Sequence, residues 1–418
     1  MNGAKKMENR LTIKQKLLIG SLVVYLFSLF VFIESADTYI YSKIAFLCTF
    51  ILAIINIRKE NIYLTNIDIA FVLFVFMCSL SCLWSRWQAK SIETSITMLQ
   101  LMLMFCVLRM ALRAFADSKL FENIIIISGL GMCVFYLYEY GISGYLSALN
   151  GIGRIGSEYE NTNTIGGSGA FILVVSLLTG MNERKWYYFI VSFFAGFIVL
   201  GSGSKTAILI SILGSLVAIL VAKKKRKGSK LSKLLFIVVI VITLFYIIKN
   251  IADISFLNST YDRFEQMFDV FLGRSAYVHS STSDRIDMMK VGLNTFFRFP
   301  FWGCGIYAMK DILASHNLHY IIIHCNYLEL LADLGIVGFS LYYYIYCNII
   351  SKVKYCSEIN RGFVICMVVL MLLLDVTGVT YYTQRIVLFL VMISVVLEND
   401  KDMVRHGVKT KFVFGSRS

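Results

Sequence analysis

The sequence predicts an all-α, polytopic integral membrane protein with about twelve transmembrane helices, and three observations carry that prediction. Of 418 residues, 58% are hydrophobic and only 16% are charged, and the mean hydropathy is +0.71. A water-soluble core cannot hide that much apolar surface, so lipid must be the solvent. A single proline interrupts the chain. The apolar runs are far longer than the strands of a membrane barrel, which leaves helices as the element that satisfies backbone polar groups in hydrocarbon.

Apolar windows place the spans at 16–33, 38–57, 66–84, 92–112, 123–140, 164–181, 185–200, 204–222, 231–249, 325–349, 361–379 and 384–397. The first span follows a basic N-terminus without a small-residue cleavage site, and is read as uncleaved. Basic residues then set the topology. Lys5, Lys6, Arg10, Lys14 and Lys16 lie before or at the start of span one, Arg58 and Lys59 follow span two, and Arg109, Arg113 and Lys119 lie at or after the end of span four. Lys223-Lys224-Lys225-Arg226-Lys227, with Lys230 and Lys233, follows span eight. All of these fall on one side, which positive-inside bias makes cytoplasmic together with both termini, in a cytoplasmic (inner) membrane. The net charge of +14 therefore reflects topology and contact with lipid headgroups, and no nucleic-acid partner is expected.

The chain divides into helices one to nine (1–249, with an outer loop at 141–163), a long extracytoplasmic loop between helices nine and ten (250–324), helices ten to twelve (325–397) and a cytoplasmic tail (398–418). A loop of that length, rich in Arg, Asp, His and aromatic residues, calls for its own structure and a task. The ten cysteines lie mostly inside apolar runs and show no zinc spacing. Cys304 and Cys325 fall in the outer segment, where the spacing leaves a disulfide open.

Two motifs are discarded. Gly151-Ile152-Gly153-Arg154-Ile155-Gly156 fits a dinucleotide fingerprint but has no βαβ unit around it. Gly201-Ser202-Gly203-Ser204-Lys205-Thr206 approaches a phosphate-binding loop, but serine stands where glycine must precede the lysine. What remains is a convergence of helix starts. Helices six, eight and ten begin on the outer side, each behind a polar cluster: Arg154 with Asn161-Thr162-Asn163, then Ser202, Ser204 and Lys205, then His324, Cys325, Asn326 and Tyr327. Free N–H groups and cations at helix N-termini suit phosphate. Each cluster has a plainer reading too: Asn163, Ser204 and Asn326 as caps, Lys205 snorkelling to headgroups, Arg154 and Arg285 as solvated loop charges.

The order of these motifs resembles the O-antigen ligase and polysaccharide polymerase superfamily, the Wzy-type membrane enzymes. Asp284-Arg285, Pro300-Phe301-Trp302-Gly303-Cys304-Gly305, His324-Cys325-Asn326-Tyr327-Leu328 and Gly335-Ile336-Val337-Gly338 are similar to the family's arginine, its Pro-x-x-Gly-x-Gly turn, its histidine helix start and its Gly-x-x-Gly. Thr162 stands for a usual proline, Lys205 for an arginine, and Cys325 for asparagine or serine. The resemblance implies a GT-C-like glycosyltransferase needing no metal and no cofactor. It would act on undecaprenyl-pyrophosphate-linked oligosaccharide repeat units, with a chain-length regulator and a flippase as further candidate partners. His324 and Arg285 would be catalytic, His324 as general base. Arg154, Lys205 and Arg285 would hold the pyrophosphate, and Asn163, Ser204, Asn326 and Tyr327 would orient. The favoured function is an O-antigen or capsular polysaccharide polymerase. The alternatives are a ligase moving O-antigen onto lipid A core and, from another class, a lipid-linked oligosaccharide flippase or transporter, for which broken helices and mid-membrane charges would be the signature.

Overall fold

A computed structural model of the protein describes residues 11–32, 38–115, 117–149, 153–156, 161–223, 280–318 and 322–400. Among them the chain is helical and forms no strand. Eleven helices lie where eleven of the twelve spans were expected: α1 (Ile13–Val31), α2 (Tyr39–Asn56), α3 (Asn66–Leu80), α4 (Gln88–Leu112), α5 (Ser118–Leu149), α6 (Thr162–Glu183), α7 (Trp186–Gly201), α8 (Lys205–Val221), then α11 (Asn326–Val353), α12 (Glu358–Asp375) and α13 (Gln384–Asn399). Between α8 and α11 lie α9 (Ser280–Arg298) and α10 (Met309–Ser315). The expected span 231–249, the basic run from Lys224 onward and the tail 401–418 lie outside the described residues. Among the described residues, seven helices are long and apolar enough to cross a membrane, and α7 and α8 are shorter apolar helices. The protein is a polytopic, all-α membrane protein.

In hydrocarbon the helices gain little from hiding apolar surface, so close packing and internal polar bonds must hold them together. The run Gly166-Gly167-Ser168-Gly169-Ala170 lets α6 approach its neighbours. A Cβ on Gly166 would stand 2.5 Å from the Ser202 Oγ and 2.7 Å from the Ala207 Cβ, which brings the starts of α6 and α8 side by side. The last helix is the most enclosed: from Ile386 to Leu397 no residue of α13 is more than 1% exposed. Phe389 stacks on Phe171 of α6 with ring centroids 4.8 Å apart.

Two helices are broken at glycine. α5 runs nine residues into the loop expected at 141–163, because Gly141 takes φ 59° and the chain resumes as a helix. Ile142, Tyr145 and Leu146 then share one face at helical spacing and meet Phe193, Phe194 and Phe197 of α7 around an apolar cavity of about 230 Å³. α11 breaks at Gly335, φ 63°. The loop 300–305 fills that break. Ile336 and Val337 donate to the carbonyls of Pro300 and Phe301 at 2.9 and 3.3 Å, and Cys304 and Gly305 donate to those of Ala332 and Asp333, both at 2.9 Å. The backbone groups freed by the break thus find partners, as the membrane interior demands. Gly303 and Gly335 allow the fit, since a Cβ at either would lie 2.2 or 2.3 Å from the facing backbone oxygen. Cys304 and Cys325 are both free thiols, and the Cys304 Sγ is turned to Asp333 instead.

We call top the end of the bundle where α6, α8, α11 and α13 begin, and base the other end. At the base, Arg109 and Arg113 are not loop cations as the sequence suggested. They are 0% and 5% exposed, and Asp68 and Glu398 clasp them. Arg109 bonds Asp68 at 2.7 Å and also reaches Glu398. Arg113 bonds both carboxylates at 2.9 Å.

Candidate active site

The top is assembled from two groups of side chains with one connection between them. The first group surrounds the starts of α6 and α8. Ile155 is fully buried and its N–H donates to the Gly201 carbonyl at 3.0 Å, pinning the 153–156 loop onto the end of α7. Arg154, on that loop, donates to the Thr162 Oγ1 at 3.1 Å, beside the first turn of α6. The cap of α6 is Asn161, whose side chain accepts from the Asn163 N–H at 2.9 Å. Asn163 itself is exposed. Ser204 caps α8 by accepting from the Ala207 N–H at 3.3 Å, so Lys205 is the first residue of that helix. An arginine and a lysine therefore stand at two adjacent positive helix ends.

The second group surrounds the start of α11. His324 precedes the N-cap Cys325 and takes a left-handed φ of 58°, uncommon for a residue with a Cβ. It is half-buried. Burial, and then the positive charge of Arg285 on α9, push its pKa below the ordinary 6.5. The imidazole is therefore neutral at neutral pH and able to accept a proton. Asn326 is fully buried. Its carbonyl oxygen accepts from the N–H groups of Thr380 and Tyr381 at 2.9 and 3.1 Å, and its amide donates to the Tyr343 hydroxyl at 3.0 Å. Tyr343 in turn donates to Asp375 at 3.0 Å. The Tyr327 hydroxyl is spent on the Leu372 carbonyl at 3.0 Å, and its ring stacks on Tyr343. Asn326 thus fixes α11 against the α12–α13 connection, and Tyr327 fixes it against α12 itself.

That connection joins the two groups. Arg385, in the first turn of α13 and 8% exposed, donates to the Thr164 carbonyl at 3.3 Å and to the Ser168 hydroxyl, both on α6. Arg154, Ser204 and Lys205 form one side, Arg285, His324, Asn326 and Tyr327 the other, and residues 380–385 lie between. The sequence had not singled out Arg385. The available signal was a lone arginine opening an otherwise apolar window.

Helix starts gathered at one end of the bundle, with cations on two of them and a histidine just before a third, form an arrangement able to receive an anionic group. Residues 190–343 match the family described as O-antigen ligase, within the O-antigen ligase/polymerase superfamily. The matched stretch runs from α7 into α11 and includes Lys205, Arg285, His324 and Asn326, whereas Arg154 and Arg385 lie outside it. No curated protein matches the chain.

Proposed function

We propose that the protein is a polysaccharide polymerase that joins undecaprenyl-pyrophosphate-linked repeat units at the outer face of the cytoplasmic membrane, by metal-independent glycosyl transfer. The observation that carries this reading is His324: a half-buried histidine in a left-handed turn, kept neutral, with Arg285 near enough to act on its charge. In the reaction a sugar hydroxyl oxygen bonds to the anomeric carbon of the growing glycan. The bond from that carbon to the pyrophosphate oxygen breaks, the leaving oxygen keeps the electron pair, and the hydroxyl proton passes to His324. Arg285, Arg154 and Lys205 meet the charge that develops on the leaving pyrophosphate, and the N-termini of α6 and α8 add to the same field. The apolar cavity between α5 and α7 suits the first isoprene units of the lipid. Its Tyr145 wall lies close to the same Gly201 that holds the 153–156 loop, since a Cβ added there would stand 3.6 Å from the Tyr145 ring.

The family description, O-antigen ligase, supplies a second reading, a ligase, and does not distinguish it from a polymerase. It shares the chemistry and differs in acceptor, lipid A core in place of another lipid-linked unit. A transporter is disfavoured because the break in α11 is filled by four backbone hydrogen bonds from the 300–305 loop, where a broken transporter helix lines its substrate cavity. The test is polymerisation of native undecaprenyl-pyrophosphate-linked repeat units by purified protein, with and without EDTA, read as a glycan ladder. A ladder that survives EDTA supports the polymerase. Transfer to lipid A core in place of a ladder supports the ligase, and neither product from folded protein overturns the transferase reading.

A further inference from the structure

Among the described residues, Tyr307 and His324 are two of four non-glycine residues with left-handed backbone, φ 64° and 58°. Such conformations cost free energy and persist where the surroundings enforce them. Both lie between α9 and α11, and a buried carboxylate of α11 holds the backbone at each: at Tyr307 itself and at Ile323, the residue before His324. Asp333 accepts from the Tyr307 N–H at 3.0 Å and Glu329 from the Ile323 N–H at 2.7 Å. The two acids are 0% and 1% exposed and, four residues apart, share one face of the helix. Neither has a role in the chemistry above.

We infer that Glu329 is a positioning residue for His324. Ile323 is pinned from two directions: its N–H by Glu329 and its fully buried side chain against Gly292 of α9, where an added Cβ would lie 2.4 Å from the Ile323 Cδ1. Arg285 lies two helical turns before Gly292, on the same face of α9. Fixing Ile323 against that face therefore delivers His324, the next residue, beside Arg285. The carboxylate acts as a hydrogen-bond acceptor of set length, and its charge is not used.

The inference rests on the transferase reading for its kinetic arm alone. Glu329→Gln keeps the reach and loses the charge, whereas Glu329→Asp keeps the charge and loses about one methylene of reach. Both are purified as the full chain and checked for folding by thermal melt. Two readouts follow: ladder growth at saturating native donor, with the donor KM measured separately, and carbethoxylation of His324 by diethylpyrocarbonate, followed by peptide mass spectrometry with exposed His316 as internal reference. The Gln variant is expected to match wild type in both. The Asp variant is expected to lose turnover on the order of 100-fold, the cost of a roughly 1 Å misplacement, with KM little changed and the His324 modification rate shifted several-fold. The reverse pattern, both variants like wild type, or both equally impaired overturns the inference. Absence of a ladder from wild type counts against the transferase reading, and the modification rates then decide the positioning role by themselves.

Discussion

The base and the top of the bundle both bury carboxylates and use them in opposite ways. At the base, Asp68 and Glu398 bond to the guanidinium groups of Arg109 and Arg113, two charges against two. At the top, Glu329 and Asp333 accept from backbone N–H groups of the segment between α9 and α11, and Asp375 accepts from the hydroxyls of Tyr343 and Thr380. The lower acids cancel charge and tie together α3, α4 and α13. The upper acids hold loop backbone and aromatic side chains in place around His324. Burial alone does not reveal which task a membrane-embedded acid performs; its hydrogen-bond partners do.

Breaking each end should separate stability from chemistry. The largest effect is expected at the base. Glu398→Leu leaves Asp68 as the one carboxylate of the clasp against two arginines, and removing one partner of a buried ion pair typically costs about 3–5 kcal/mol. The variant should show a sharply lower melting temperature in detergent, with turnover per folded molecule near wild type. Lost turnover at unchanged stability would break the division between the ends. At the top, His324→Ala should leave melting unchanged and slow ladder growth by roughly 100-fold or more, the range removed with a general base.

A smaller and more diagnostic change is expected for Arg285→Met. Arg285 lowers the His324 pKa, so removing its positive charge stabilises the imidazolium and raises that pKa. The acid limb of the rate profile should move to higher pH, and a limb that stays in place would detach Arg285 from His324. The smallest effect is expected for Ser204→Ala. Losing the cap of α8 typically costs about 1 kcal/mol, so a melting shift of a few degrees with turnover retained is the expected result. A large loss of turnover would instead give the Ser204 hydroxyl a direct part in the chemistry beyond capping α8.

The sequence made the helices legible because lipid demands long apolar runs, and α1 to α8 and α11 to α13 sit where those runs lie. The clasp at the base was not legible. Its partners are 41 residues apart for Asp68 and Arg109 and 285 apart for Arg113 and Glu398 (109 − 68 and 398 − 113), and the arginines passed for topology signals. His324 and Arg285 stood out through their motif order, but the left-handed turn and the Glu329 bond behind it depend on φ and on a close approach to Gly292. Arg385 and the 380–385 connection were hidden by a similar cause. Asn326 was expected to orient within the site or, on the plainer reading, to cap α11, and only the fold shows it accepting from Thr380 and Tyr381.

The most direct test of the account is the rate of single-turnover glycosyl transfer from pH 5 to 9 for wild type and His324→Ala, each verified as folded. The account predicts an acid limb for wild type lying below the ordinary histidine value of 6.5, and a residual rate without that limb in the variant. The same limb in His324→Ala would show that another group takes the proton and would contradict the account.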